Sequence, residues 1–159
     1  MGKYLLMIGA LFLLLSGCAM VDNDNDVEGD DRSPVVSLAE QYAPLAFRTL
    51  IDEVGVPIYI NNVTYICYLY DTPYEKYEAC AFYTVYRLAS GSSNRYAEVW
   101  VEELPSRLYA YVYDLEDQAA LTREYEFLRN EVRFDSDYEH NIGFFTRGKI
   151  DEALRNMPS

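Results

Sequence analysis

The sequence predicts an α+β domain built on an antiparallel meander of four strands, with room for a fifth, an N-terminal helix and one or two C-terminal helices. Three observations carry this expectation. Residues 58–70, 77–88, 95–103 and 107–114 are rich in β-branched and aromatic side chains, and turn material separates them: Asp71-Thr72-Pro73-Tyr74, the loop ASGSSN at 89–94, and Leu104-Pro105-Ser106. Residues 37–54 and 114–133 place apolar side chains at helical spacing. Partners counted outward from the three turns all fall on one face, so three separate local signals agree.

In the first helix the stripe is Leu38, Tyr42, Leu45, Ala46, Leu50 and Val54. Pro44 lies inside it and predicts a kink or a restart there. Gly55 and Pro57 stop the helix. About the first turn, Cys67 falls opposite Cys80 and Tyr65 opposite Phe82. About the second, Phe82 falls near Val101 and Thr84 near Val99. About the third, Val101 meets Leu108, Val99 meets Ala110 and Trp100 meets Tyr109. The predicted core wall is therefore Val63, Leu69, Phe82, Leu88, Val99, Val101, Leu108 and Val112. Asp114 can cap the helix that follows, with Leu121, Tyr125, Leu128 and Val132 on one side. A polar segment around His140 then leads to a last helix over 147–156, burying Ile150, Ala153 and Leu154.

The other face of the sheet is unusual. It carries Tyr68, Tyr70, Tyr83, Tyr96, Glu98, Trp100, Glu102, Tyr109, Tyr111 and Tyr113, where a solvent face ordinarily holds Lys, Thr, Glu and Ser. Tyrosine accounts for 16 of the 159 residues, and the face draws on that enrichment. Three roles suit such a face: a helix covers it, a protein partner docks on it, or a glycan stacks on it. Tyr and Trp offer rigid contact area with a polar tip and are enriched at interfaces. The partner-binding candidates are Trp100, Tyr109, Tyr111 and Tyr113, with Glu98 and Glu102 among them.

Charge narrows the function. Thirteen basic and 26 acidic residues give a net charge of −13, which argues against nucleic acid, because phosphate binding needs clustered Lys and Arg. The single histidine, His140, rules out a histidine-built metal site or two-histidine chemistry. Neither GxSxG nor HExxH occurs. Glu98 and Glu102 lie on one face of one strand, ~13 Å apart at Cα, beyond the spacing of either usual glycosidase mechanism. Asp22, Asp24 and Asp26 alternate as in a calcium loop, but Val27 and Ser33 stand where an EF-hand needs Gly and Glu. We expect a binding protein, not an enzyme, with no catalytic residue, metal or cofactor.

The first residues read MGKYLLMIGALFLLLSGCAM. Lys3 precedes a short apolar run, Tyr4 to Leu15, about 18 Å long as a helix and too short for a ~30 Å hydrocarbon core. This is the arrangement of a secretory signal. Leu15-Ser16-Gly17-Cys18 resembles the lipobox of bacterial lipoproteins. The resemblance implies a signal peptide over 1–17, cleavage before Cys18, and a diacylglycerol on its sulfur with acylation (palmitate, for example) of the new amino group. Two or three chains anchor stably where one does not. Ala19, in place of an Asp, favours the outer membrane, with the protein facing the periplasm. Residues 18–34 then form an acidic tether with almost nothing to bury, and residues 35–159 a single globular domain.

With Cys18 assigned to lipid, Cys67 and Cys80 remain as a pair in an oxidising compartment, facing each other across a hairpin; a disulfide is expected, with two buried thiols as the alternative. The expected partners are the membrane, through Cys18, and another envelope or periplasmic protein. An acidic, aromatic surface favours a basic one, so an inhibitor or immunity protein against a basic envelope-targeting protein fits. The alternative is an envelope assembly or secretion accessory that escorts a component to the outer membrane, as pilotin lipoproteins do.

Overall fold

The computed structural model describes residues 34–134 and 138–159. The signal segment, the lipidation candidate Cys18 and the acidic tether up to residue 33 lie outside the described residues, and the last residue assigned to the tether, Pro34, begins the first helix. The domain is α+β: a five-stranded antiparallel sheet with one helix before it and two at its C-terminal end. The elements run α1 (Pro34–Val54), β1 (Pro57–Asp71), β2 (Lys76–Leu88), β3 (Arg95–Leu104), β4 (Arg107–Leu115), α2 (Gln118–Phe134), β5 (Tyr138–Phe145) and α3 (Arg147–Arg155). The sheet order is β4-β3-β2-β1-β5.

Helices cover both faces of the sheet, giving two cores. On the first face α1 and α3 pack on Val63, Cys67, Cys80, Phe82, Val99 and Val101. The small side chains Ala39, Ala43 and Ala46, all fully buried, let the α1 backbone lie close to the strands. Phe47 and Leu50 fill the space between them. The helix runs unbroken through Pro44, so the expected restart does not occur. It ends where expected, with Gly55 at φ 94° and its N–H donating to Ile51 O at 2.9 Å. Lys149 of α3 ties back to Glu40 of α1 at 3.2 Å. On the second face α2 packs Leu121, Leu128 and Val132 on Ile66, Tyr68, Ala79, Ala81, Tyr83 and Val85.

The register about the first turn is the expected one, with Cys67 opposite Cys80 and Tyr65 opposite Phe82. Of the other two hairpins, the second closes one residue earlier in the chain than expected and the third one residue later. Phe82 pairs with Val99, and Val99 with Val112. Trp100 therefore stands opposite Tyr111, not Tyr109. The cause in the third hairpin is the tight Pro105–Ser106 turn, which lets Leu104 pair with Arg107. Moving a turn centre by one residue displaces partners by two, so every side chain keeps its predicted face. Leu108 is the exception in the core wall: it lies at the end of an edge strand and is 51% exposed.

Three local features differ from expectation for identifiable reasons. Asn62 sits at φ 48°, an additional residue where the β1–β2 register shifts between Asn61 and Val63. Asn tolerates this left-handed conformation. The bulge turns Ile60 onto the α1 face, where it is buried. Asp117, not Asp114, caps α2, its Oδ1 accepting from Ala120 N at 2.8 Å, because β4 continues to Leu115. The polar segment around His140 is a fifth strand, β5, paired along β1 from Tyr70↔Tyr138 to Val63↔Phe145. Gly143 accommodates the Tyr65 ring opposite it: a Cβ there would come within 2.5 Å of Tyr65 Oη.

Candidate functional site

Tyrosine, tryptophan and glutamate side chains from all five strands meet on the α2 face. From β5 towards β3 the rings run Tyr138, Tyr68 and Trp100, with Tyr68 edge-on to Tyr138 (5.3 Å, 87°) and to Trp100 (6.1 Å, 77°). Tyr77 of β2 and Tyr70 of β1 flank them. On β4, Tyr109 stacks on Tyr111 (6.2 Å, 18°), and Tyr111 leans on Tyr113 (6.4 Å, 49°). Such offset and edge-to-face pairs are the arrangements that ring quadrupoles favour.

Helix α2 divides this surface. Under it, Tyr68, Tyr83 and Glu98 are buried and Trp100 and Tyr96 half-buried. Beyond it, Tyr111 is 37% exposed and Tyr113 51% exposed. The covered reading of the face is therefore true of its centre, while β4 keeps Tyr111 and Tyr113 at the surface and Tyr109 half-buried. Glu98 is 8% exposed and Trp100 is partly enclosed, so neither belongs to an outer rim.

The two carboxylates have separate tasks. Glu98 accepts a hydrogen bond from Trp100 Nε1. Burial pushes its carboxyl above the ordinary range, although donors from Trp100 and Tyr83 act in the opposite direction. Glu102 accepts from the hydroxyls of Tyr77 and Tyr111, linking the covered rings to the exposed ones. The hydrogen bond to Glu102 pushes the Tyr111 phenol up to about 12. Burial, then the bond to Glu102, raises Tyr77 as well. Both hydroxyls thus stay neutral donors at physiological pH. Across the sheet, Tyr42 donates to Glu103 at 2.7 Å and to Glu78 at 3.1 Å, holding two carboxylates that face each other in register.

Folding raises the Glu98 pKa, so the folded domain holds that proton more tightly than the unfolded chain does. The benefit is complete below the usual carboxylate range and is lost as pH rises through the raised value. Glu98→Gln keeps an oxygen for Trp100 Nε1 and removes the ionisation. The variant is expected to be more stable than wild type at neutral pH and to lose part of the pH dependence. Urea-unfolding midpoints measured from acid to neutral pH check this; a wild-type slope in the variant contradicts it.

The remaining sequence candidates are placed as follows. Cys67 and Cys80 form a disulfide inside the α1-side core, with Cα atoms 4.1 Å apart. His140 lies exposed on β5, opposite Tyr68 in the register. Among the described residues no group of three or more His, Cys, Asp or Glu side chains is placed to hold a metal ion, and no helix is long and apolar enough to cross a membrane. Phe144 of β5 is 72% accessible beside the N-terminal end of α2, a position that the polar character of the segment around His140 does not signal. No family model, no curated protein and no solved structure matches the chain.

Proposed function

We propose that this protein is an outer-membrane-anchored periplasmic lipoprotein that binds another protein, acting as an inhibitor or immunity protein against a basic envelope-targeting partner. The observation that supports the reading is the ladder of Tyr109, half-buried, and Tyr111 and Tyr113, exposed, on edge strand β4, joined to Glu102 by the Tyr111 hydroxyl. It presents rigid rings already positioned by stacking and a hydrogen bond, so little conformational freedom is lost on docking. The net charge of −13 favours a basic partner. Anchoring at Cys18 and the tether would keep the domain within reach of the envelope.

The test is a pull-down from detergent-solubilised envelope with wild type, Cys18→Ser, Tyr111→Ala and Tyr113→Ala. Wild type is expected in the membrane fraction with a soluble basic protein bound, and Cys18→Ser in the soluble fraction. Each tyrosine variant is expected to weaken partner binding, Tyr111→Ala by ~2 kcal/mol, about thirtyfold. Recovery of an integral outer-membrane complex instead favours the escort reading. Full binding by both tyrosine variants overturns the β4 site.

A further inference from the structure

We infer that β4 is the seam of a homodimer, in which two copies of this chain pair their β4 strands antiparallel about a two-fold axis at Tyr111. This concerns the main-chain edge of β4, whereas the proposed partner site concerns the rings on one of its faces.

The two edges of the sheet are built differently. Monomeric proteins protect edge strands with Lys, Pro, bulges, inward charges or short length, because unpaired N–H and C=O groups recruit another strand. β5 carries Glu139, His140 and Gly143 within its eight residues. β4 runs nine residues, RLYAYVYDL, without Lys, Pro or Gly. Its register with β3 is unbroken from Leu104↔Arg107 to Tyr96↔Leu115, so no bulge twists it away. Among the described residues no strand pairs with its outer edge.

β4 is also complementary to itself. Antiparallel partners share a sheet face, so a two-fold register must set face against like face. Centred on Tyr111, that register places Tyr111 opposite Tyr111, Tyr109 opposite Tyr113, and Ala110 opposite Val112. Rings meet rings on the α2 side, and small apolar residues meet on the α1 side. Leu108 falls opposite Asp114 and Arg107 opposite Leu115, so no like charges are opposed. The strand carries one charge of each sign although the chain is strongly acidic. The remaining repulsion between copies is long-range and screened over ~8 Å at physiological ionic strength. Pairing would cover Leu108, 51% exposed on the α1 side, and join the two tyrosine ladders into one surface.

The test uses the full chain in its native membrane. Cα atoms paired across antiparallel strands stand ~4.5–5.5 Å apart, within the span of a disulfide. Tyr111→Cys is therefore expected to give a covalent dimer on mild oxidation. Tyr113→Cys, whose opposite residue is Tyr109, is expected to crosslink at least about tenfold more slowly; adding Tyr109→Cys restores the bond. Leu108→Asp sets a carboxylate against Asp114 of the second copy and is expected to slow the Tyr111→Cys crosslink about tenfold, without touching the tyrosine face. Circular dichroism confirms that each variant is folded. No Tyr111→Cys dimer, equal rates at 111 and 113, or indifference to Leu108→Asp overturns the seam. A crosslink to a different protein does so too, and means that a strand of another chain takes the edge. Partner capture in the pull-down stands or falls separately, since Leu108→Asp leaves the rings in place.

Discussion

Val99→Asp is expected to leave no stably folded domain. Val99 is 1% exposed, with Phe82 and Val112 as its cross-strand neighbours and α1 packed over that face. The core cluster around it consists of hydrophobic side chains, so a carboxylate there must either remain charged in an apolar site or take up a proton. Both routes are costly, and substitutions of this kind exceed ~4 kcal/mol, against a total of ~5–15 kcal/mol for a domain. Far-ultraviolet circular dichroism and limited proteolysis are the measurements. Tyr113→Asp, half-exposed on β4, is expected to stay within about 1 kcal/mol of wild type. A cooperative melt near the wild-type temperature for Val99→Asp would show that α1 does not seal this face.

Replacing both disulfide cysteines by alanine is expected to cost about 3 kcal/mol, the loop-entropy value for a short closed loop. The bridge joins residues 13 apart in the central strand β2 and its neighbour β1, and both cysteines are fully buried. Two consequences follow from that position. A reductant should act on the folded protein only as fast as the core opens, and alkylation should appear together with unfolding. Guanidinium titration of wild type, reduced wild type and the double variant checks the magnitude. Rapid reduction without loss of structure would contradict the buried placement.

Much of the α1 side was legible from short-range signals. Turn residues, alternation and helical spacing locate the meander and name Val63, Phe82, Val99 and Val101 as wall residues, and all four are buried. The turn centres were each misplaced by one residue at two hairpins, yet the faces survived, because strand periodicity is two and the resulting shift is also two. Burial of the second face was also written in the sequence, in a feature that alternation obscures. β2 is buried continuously from Ala79 to Tyr86, and Ile66 lies behind Cys67 in β1. A strand apolar on both sides is covered on both sides.

The sequence by itself determined α1, the four strands β1 to β4, α2 and α3 and their order, the pairing of Cys67 with Cys80, and the gathering of rings and carboxylates on one face, since each depends on neighbours within a helix turn or a hairpin. Three outcomes depended on tertiary structure. The residues around His140 became a strand because the free edge of β1, distant in sequence, supplied hydrogen-bond partners for a segment with weak intrinsic preference. Ile60 moved into the core because one residue, Asn62, adopts a left-handed conformation that shifts the register. The aromatic face was divided into core and surface by where α2 crosses the sheet, which buries Tyr83 and Glu98 and leaves Tyr111 and Tyr113 accessible. A helix's own periodicity states which of its faces is apolar, but the strands it covers are chosen by packing between elements, and no local pattern encodes that choice.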